Sequence, residues 1–408
     1  MASAEGARRP RILVLNQYYW PGVEATAHLL TELCEALAED YEVEVVTGVL
    51  HGHEREPRES ERNGVKIARV HSTSYERSEL SRRATNYFSY LGSALAYALR
   101  APAPDLVLCM TDPPIVGDVG VVVGRRFGAP VAVISQDVFP EIATELGRLR
   151  NPAVVLILGG LVGGYLRRAD RIVAIGKTMR DRLEAKGAPP DRVRVIPNWV
   201  DTRAIAPQPR DNEWAVKHGL DSKFVVMHSG NVGHAQDLDS LVRAATFLRD
   251  RDDVRIVVAG FGARHAEMVR LARRLEVEDC VRFFPYQKRQ RLPLSLSSAD
   301  VHVVGLAKGL AGYVVPSRLY GILSAGRPVI AAADEESETA QLVREVGCGI
   351  VIPPGRPELL ARTVRGAAEG AYDLAEMGRH GRVYVEREAD RSVAMERYRA
   401  LVAELIAA

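Results

Sequence analysis

The chemistry-bearing residues of this chain gather in short clusters, each placed where an apolar run ends. The first is His228-Ser229-Gly230-Asn231-Val232-Gly233, after the run Phe224–Met227. A helical pattern follows from about Gln236. Glycines let a backbone approach a ligand closely, and a helix start presents unpaired N–H groups and a positive dipole. That pairing suits a diphosphate; a tight strand-to-helix turn without a ligand is the plain alternative. The second cluster is Val315-Pro316-Ser317-Arg318-Leu319, followed by Ala325-Gly326-Arg327-Pro328-Val329-Ile330. With Pro316 in the first turn of a helix, a hydroxyl, helix-start N–H groups and a guanidinium would form a second anion site. A helix start with a surface arginine, then a turn into the next strand, is the alternative.

Three clusters lie in the first half. Ser135-Gln136-Asp137-Val138-Phe139-Pro140-Glu141 follows an apolar run and places Asp137 and Glu141 where carboxylates could bind sugar hydroxyls or steer an acceptor. Asp137 could equally cap the next helix. Tyr18-Tyr19-Trp20-Pro21-Gly22-Val23-Glu24-Ala25-Thr26 sets aromatics beside a glycine turn, suited to a sugar or lipid-linked acceptor, or to packing under the loop. The stretch from Arg77 to Leu99 carries Arg82, Arg83, Tyr87, Phe88, Tyr90 and Tyr97 on a helical pattern. Basic and aromatic residues on one helix suit a membrane interface, or a packed helix with a solvated basic face.

The elements that must position these clusters read as alternating strands and helices. Ile12–Leu15, Val43–Val46, Leu106–Leu108, Val131–Ile134, Ile172–Ile175 and Val193–Ile196 are short and mostly apolar throughout, as in parallel strands covered on both faces. Helical stretches such as Ala27–Ala38 and Met179–Ala185 lie between them. A Pro-containing linker, Pro197 to Pro209, precedes a second series at Phe224–Met227, Arg255–Ala259, Val281–Phe284, Val301–Val304, Val329–Ala331 and Ile350–Ile352. Leu374 to Ala408 is helical. This predicts two doubly wound α/β domains, whose ligands bind outside the carboxyl ends of the strands, in a cleft between the two.

A length of 408 residues suits two or three domains, and 47% apolar with 26% charged residues excludes a disordered chain. A net charge of +2 gives no bulk argument for nucleic acid. Cys34, Cys109, Cys280 and Cys348 have neither metal nor redox spacing, which suits a reducing compartment. Met1 to Pro10 lacks the apolar core of a signal peptide. The longest apolar stretch, Ala153 to Tyr165, falls short of the roughly 20 residues that a spanning helix needs. The expected location is cytoplasmic, with peripheral membrane contact through the first domain.

Taken in order and spacing, the clusters resemble the retaining glycosyltransferases of family 4, which have the GT-B fold. More narrowly, they resemble the bacterial branch of L-fucosamine-type transferases of polysaccharide assembly. The resemblance runs from Asn16-Gln17-Tyr18-Tyr19-Trp20-Pro21 through Gln136-Asp137-Val138-Phe139-Pro140-Glu141, Ile196-Pro197-Asn198-Trp199-Val200-Asp201, Ser229-Gly230-Asn231-Val232-Gly233 and Pro316-Ser317-Arg318 to Ala325-Gly326-Arg327-Pro328-Val329-Ile330. It implies two Rossmann-like domains: an acceptor domain over 1–205, a nucleotide-sugar domain over 206–385, and a C-terminal helix over 386–408 packing back on the first. Gly230, Asn231, Val232 and Gly233 would hold the donor diphosphate with Ser317 and Arg318. Gly260, Phe261, Gly262, Pro285 and Tyr286 would border the base. Asp137 would lie by the transferred sugar, with Gly22, Glu24 and Glu141 on the acceptor side.

The chain also departs from the family pattern. Tyr313 and Gly321 stand where the family has two glutamates, the second bonding the ribose. Asn231 and Gln236 stand where it has an arginine and a lysine on the phosphates, which shifts charge onto Arg318, helped by Lys308. Glu24 stands where a glycine is common. The resemblance implies a front-face reaction with the protein positioning the reactants and stabilising the leaving group, without metal or cofactor. The expected partners are a nucleotide-sugar donor and a glycan, lipid-linked or natural-product acceptor. A nucleotide-sugar 2-epimerase of the same fold and a non-catalytic nucleotide-sugar binding protein are the rival readings.

Overall fold

The computed structural model describes residues 8–22, 24–75 and 80–407. In the first half it forms β1 (Arg11–Leu15), α1 (Ala25–Leu37), β2 (Glu42–Thr47), β3 (Glu59–Arg62), β4 (Val65–Arg69), α2 (Leu80–Ala98), β5 (Leu106–Met110), α3 (Val116–Phe127), β6 (Val131–Ser135), α4 (Glu141–Glu145), α5 (Pro152–Leu166), β7 (Arg171–Ala174), α6 (Lys177–Ala185) and β8 (Val193–Val195). These strands make an eight-stranded sheet in the order β3-β4-β2-β1-β5-β6-β7-β8. Every pairing is parallel except β3 on β4. β1, β5 and β6 are buried at every position, which is why their sequences are apolar without alternation.

The β3–β4 hairpin was not among the expected strands. β3 is Glu-Ser-Glu-Arg and carries no apolar pattern. Its signal is the turn Asn63-Gly64, both at positive φ (47° and 80°), the chemistry of a two-residue hairpin. A polar strand at the sheet edge also guards against edge-to-edge pairing.

The second half forms α7 (Glu213–Lys217), β9 (Phe224–Ser229), α8 (Leu238–Ala244), β10 (Val254–Ala259), α9 (His265–Arg274), β11 (Val281–Phe284), α10 (Leu292–Ser297), β12 (Val301–Gly305), α11 (Arg318–Ser324), β13 (Val329–Ala332), α12 (Glu338–Val346), β14 (Gly349–Ile352), α13 (Pro357–Ala368), α14 (Leu374–Glu388) and α15 (Arg391–Ala407). Its six strands run parallel in the order β11-β10-β9-β12-β13-β14. Renumbered from one, that is the dinucleotide-fold order 3-2-1-4-5-6, whose direction reverses between β9 and β12. The core joins Val226, Ile256, Val258, Val301, Val303 and Ile330 of the sheet to Leu241, Met268 and Leu360 of α8, α9 and α13.

Two compact units result. One is the chain up to Pro197 with the residues from Met395 onward; the other is Asn198–Ala394. α15 thus straddles the boundary. Beyond Met395 it belongs to the first unit, where Arg399 pairs with Glu39 near the end of α1 and Glu404 pairs with Arg171 at β7. Within the second unit, Val200 bonds Ala389 and Arg391, and Asp390 accepts from Thr202.

Candidate functional site

The crevice outside β9 and β12 is built from backbone in close contact. The loop after β9 runs Gly230 to Gly233, and the loop after β10 runs Gly260 to Gly262. A side chain at Gly260 would drive its Cβ into the Gly230 carbonyl oxygen, and one at Gly262 would strike Asn231 and Val232. These glycines are therefore required by each other as much as by a ligand. Gly230 donates to the Ala259 carbonyl (2.9 Å) and Val232 to that of Phe261 (3.0 Å). Gly233 donates to Gln236 Oε1 (3.0 Å). Three of the four N–H groups expected to cradle a diphosphate are thus engaged within the domain, and the third is held by a side chain.

Cationic charge at this crevice comes from Arg318. Its Nη2 donates to the Gly305 carbonyl at the end of β12 (2.8 Å), and its aliphatic stem lies against Gly230, where an added Cβ would meet Cδ at 3.6 Å. Burial pushes the guanidinium down to about 10, with the Tyr286 phenol acting in the opposite direction, so it stays cationic at neutral pH. Its Nε has no hydrogen-bond partner among the described residues. Beneath it, His228 is buried at the end of β9, and burial and the Arg318 charge hold it neutral. Ser317 is the residue before the first turn of α11, and Pro316 precedes it, so Pro316 lies outside the helix and not in its first turn. Phe261 and Tyr286 are both exposed at the rim, at 60% and 54%. Pro285 beside Tyr286 is exposed as well.

The departures from the family pattern acquire a physical setting. A Cβ at Gly321 would touch Leu296 and Ile205 at 3.8 and 3.9 Å, apolar surroundings unsuited to a carboxylate. Lys308 is exposed. Asn231 is exposed, and the Gly233 bond occupies Gln236.

In the first unit the direction of the sheet reverses between β1 and β5, and the loops there are stitched together. Gln17 donates to the Asp112 carbonyl (2.7 Å), Asp112 to Asn16 Oδ1 (3.3 Å), and Thr26 Oγ1 to Asp112 Oδ2 (3.2 Å). A small pocket of about 80 Å³, open to solvent, lies beside them. Gln17, Gly22, Glu24, His51, Thr73 and Asn86 are among its lining residues. Gly22 and Glu24 are also residues that the resemblance sets on the acceptor side; Glu141, set there with them, is not among the lining residues. Gln17 comes from the loop after β1, within the motif Asn16 to Pro21; His51, Thr73 and Asn86 come from the loops after β2 and β4 and from α2, and no local motif announces them. Tyr19 is fully buried, so it packs beneath the loop.

The remaining first-half candidates separate. Asp137 is exposed; α4 starts four residues later, behind Pro140 and without a side-chain cap, so Asp137 is not its cap. Glu141 pairs with Lys186. On α2, Tyr90 is buried with its hydroxyl on the Val46 carbonyl (2.8 Å), and Tyr97 donates to Glu44 (2.6 Å), so both serve packing. Phe88 is exposed. Arg77, Val23 and the side chains of Arg82 and Arg83 lie outside the described residues.

Two mainly parallel sheets, the second with an arginine among glycine loops at its reversal point, define a two-domain α/β protein of doubly wound type. Comparison with known proteins agrees. Residues 22–199 match the glycosyl transferase 4-like domain, and residues 210–383 match glycosyl transferases group 1. The probable glycosyltransferase WbjE of Pseudomonas aeruginosa is 27% identical over 341 residues, 80% of this chain and 81% of that one. The putative colanic acid biosynthesis glycosyl transferase WcaI of Escherichia coli is 27% identical over 237 residues, 57% of each. The crystal structure of HepE from Anabaena in complex with UDP superposes with a TM-score of 0.74 at 14% identity, covering 97% of this chain and 100% of that one. The chain belongs to the family 4 glycosyltransferases of GT-B fold.

Proposed function

We propose that this glycosyltransferase moves a sugar from a UDP-sugar to a hydroxyl of a glycan, lipid-linked or small-molecule acceptor, with retention of anomeric configuration and without a metal. The observation that carries the reading is the Arg318 guanidinium between Gly230 and Gly305, a fixed cation at the fold's ligand-binding crevice. The HepE structures hold UDP and UDP-glucose, which supports uridine as the base. WcaI is described by colanic acid biosynthesis, which supports polysaccharide assembly, as does the resemblance to the L-fucosamine branch. The exposed rings of Phe261 and Tyr286 offer the base flat apolar faces.

In this reading the acceptor oxygen bonds to the anomeric carbon as that carbon's bond to the diphosphate breaks. The acceptor's proton passes to the departing phosphate oxygen on the same face. Arg318 stabilises the charge that builds on the diphosphate. Asn231, Val232 and the loop glycines shape the space, and Gln236 can release the Gly233 N–H to a phosphate oxygen. Asp137 stands by the transferred sugar. Gly22, Glu24 and Glu141 lie on the acceptor side, where the pocket's hydroxyl, amide and imidazole groups suit a polyol. The protein works in the cytoplasm, peripheral to a membrane.

Thermal shift against UDP, GDP, ADP and dTDP, each with and without a chelator, tests the donor half. A ligand at 100 times its dissociation constant adds about 2.7 kcal/mol to stability. UDP alone should raise the midpoint, unchanged by chelation. UDP release from a UDP-sugar should then require an acceptor, which separates transfer from epimerisation, and proton NMR should report the retained anomer. No shift with any nucleotide would remove the donor site.

A further inference from the structure

α5 is buried only at its C-terminal end. Val162 to Leu166 pack into the first unit, where Tyr165 lies against Gly117 of α3. The preceding ten positions, Pro152 to Leu161, are apolar without exception, and none of them is buried. Leu156 is 76% exposed and Ile157 62%, beside exposed Val154 and Leu161. Asn151 caps the helix with bonds from Ala153 and Val154 (3.0 and 3.3 Å), so this free half is a formed helix. A solvated helix face ordinarily carries charge; this one has none.

Charge lies at its ends instead. Arg148 and Arg150 precede the helix, and the exposed Arg167 and Arg168 follow it. Glu145 is the one acidic residue between positions 142 and 168. Among the described residues no helix is long and apolar enough to cross a membrane. An exposed, uncharged apolar surface bordered by arginines has the makeup of a contact surface for a partner that is apolar within and anionic at its edge.

We propose that the free half of α5 is the membrane-docking surface of this protein, seating in a bilayer rich in anionic lipid with the flanking arginines on the headgroups. The occupant is a bilayer and not a second copy, because self-pairing along α5 would bring arginine-bearing ends of like charge together, whereas anionic headgroups complement them. This places the contact on α5, not on α2, and it stands whatever sugar the enzyme transfers.

The test is co-sedimentation of the full chain with vesicles of phosphatidylcholine alone and of equal parts phosphatidylcholine and phosphatidylglycerol. The chain should pellet with the anionic vesicles. Leu156→Glu with Ile157→Glu should weaken that binding roughly tenfold or more, leaving thermal unfolding and the UDP response unchanged. Arg148→Gln with Arg150→Gln should abolish the preference for anionic lipid. Should the paired glutamates perturb folding, Leu156→Ser alone serves as the milder variant. Wild-type protein that stays in the supernatant, or a Leu156/Ile157 variant that binds like wild type, overturns the proposal. So does a wild-type dimer in sedimentation velocity that the Leu156/Ile157 variant breaks without any vesicle binding, which would make the surface a self-association interface.

Discussion

Replacing Arg318 with alanine removes a guanidinium that the structure sets against the glycine loops. Two effects must be kept apart. The first is local: the Gly305 carbonyl loses a charged donor at 2.8 Å. Gly305 ends β12, and a hydrogen bond to a charged group contributes about 1.5–3 kcal/mol, less here because Arg318 is half-buried and water can replace it. The midpoint of unfolding should therefore fall by a few degrees. The second concerns the ligand: a diphosphate loses its fixed cation, at about 1.5–3 kcal/mol, or roughly 10- to 150-fold in affinity. Calorimetry with UDP and with uridine separates the two. UDP affinity should fall in that range while uridine affinity changes little, because uridine has no phosphate for Arg318 to meet. Arg318→Lys should recover only part, since an ammonium lacks the fork that bonds a carbonyl and a phosphate together. Equal UDP affinity in wild type and Arg318→Ala would refute the argument, as would an equal loss for uridine.

Two further outcomes follow from geometry and charge. Gly260→Ala forces its methyl into the Gly230 carbonyl, so it should destabilise the second unit by about 1–3 kcal/mol and abolish the UDP thermal shift; a normal shift would falsify the interlocked-loop account. Asp118, in the first turn of α3, has its carboxyl raised by burial to about 6, with Arg168 opposing. The folded state therefore holds that proton more tightly, and its stabilising contribution is present below pH 4 and lost as pH rises through about 6. Asp118→Asn should match wild type near pH 4 and exceed it at pH 8 by about 1 kcal/mol, discounted because the group is half-exposed. Denaturant melts at both pH values check the sign, and a variant less stable at pH 8 would reverse it.

What was legible in the sequence follows from what each residue must satisfy locally. Strands covered on both faces are apolar at every position, so β1, β5 and β6 stand out. β3 has a face in water and no hydrophobic signature, leaving only Asn63-Gly64 to betray it. The clusters at Gly230 to Gly233 and Pro316 to Arg318 were visible because glycine, proline and arginine sit close together in sequence near strand ends. That Gly230, Val232 and Gly233 spend their N–H groups inside the domain was not, because the partners come from the end of β10, the loop after it and Gln236. His51, Thr73 and Asn86 reach the pocket beside Glu24 only through strand order, which no local pattern encodes. α5 was legible as too short to span a membrane; its bare outer half is a property of packing.

The return of α15 to the first unit decides how this enzyme can be divided. Residues 198–394 are continuous, so the second unit can be expressed as an uninterrupted piece. A fragment ending at Pro197 lacks the last wall of its own core, to which Met395, Leu401, Val402 and Leu405 contribute buried side chains. During synthesis the first unit must wait, unfinished, until the second unit and then α15 have left the ribosome. Exchange of the second unit between relatives is accordingly a transplant of residues 198–394, with the stretches on both sides of it kept from one parent.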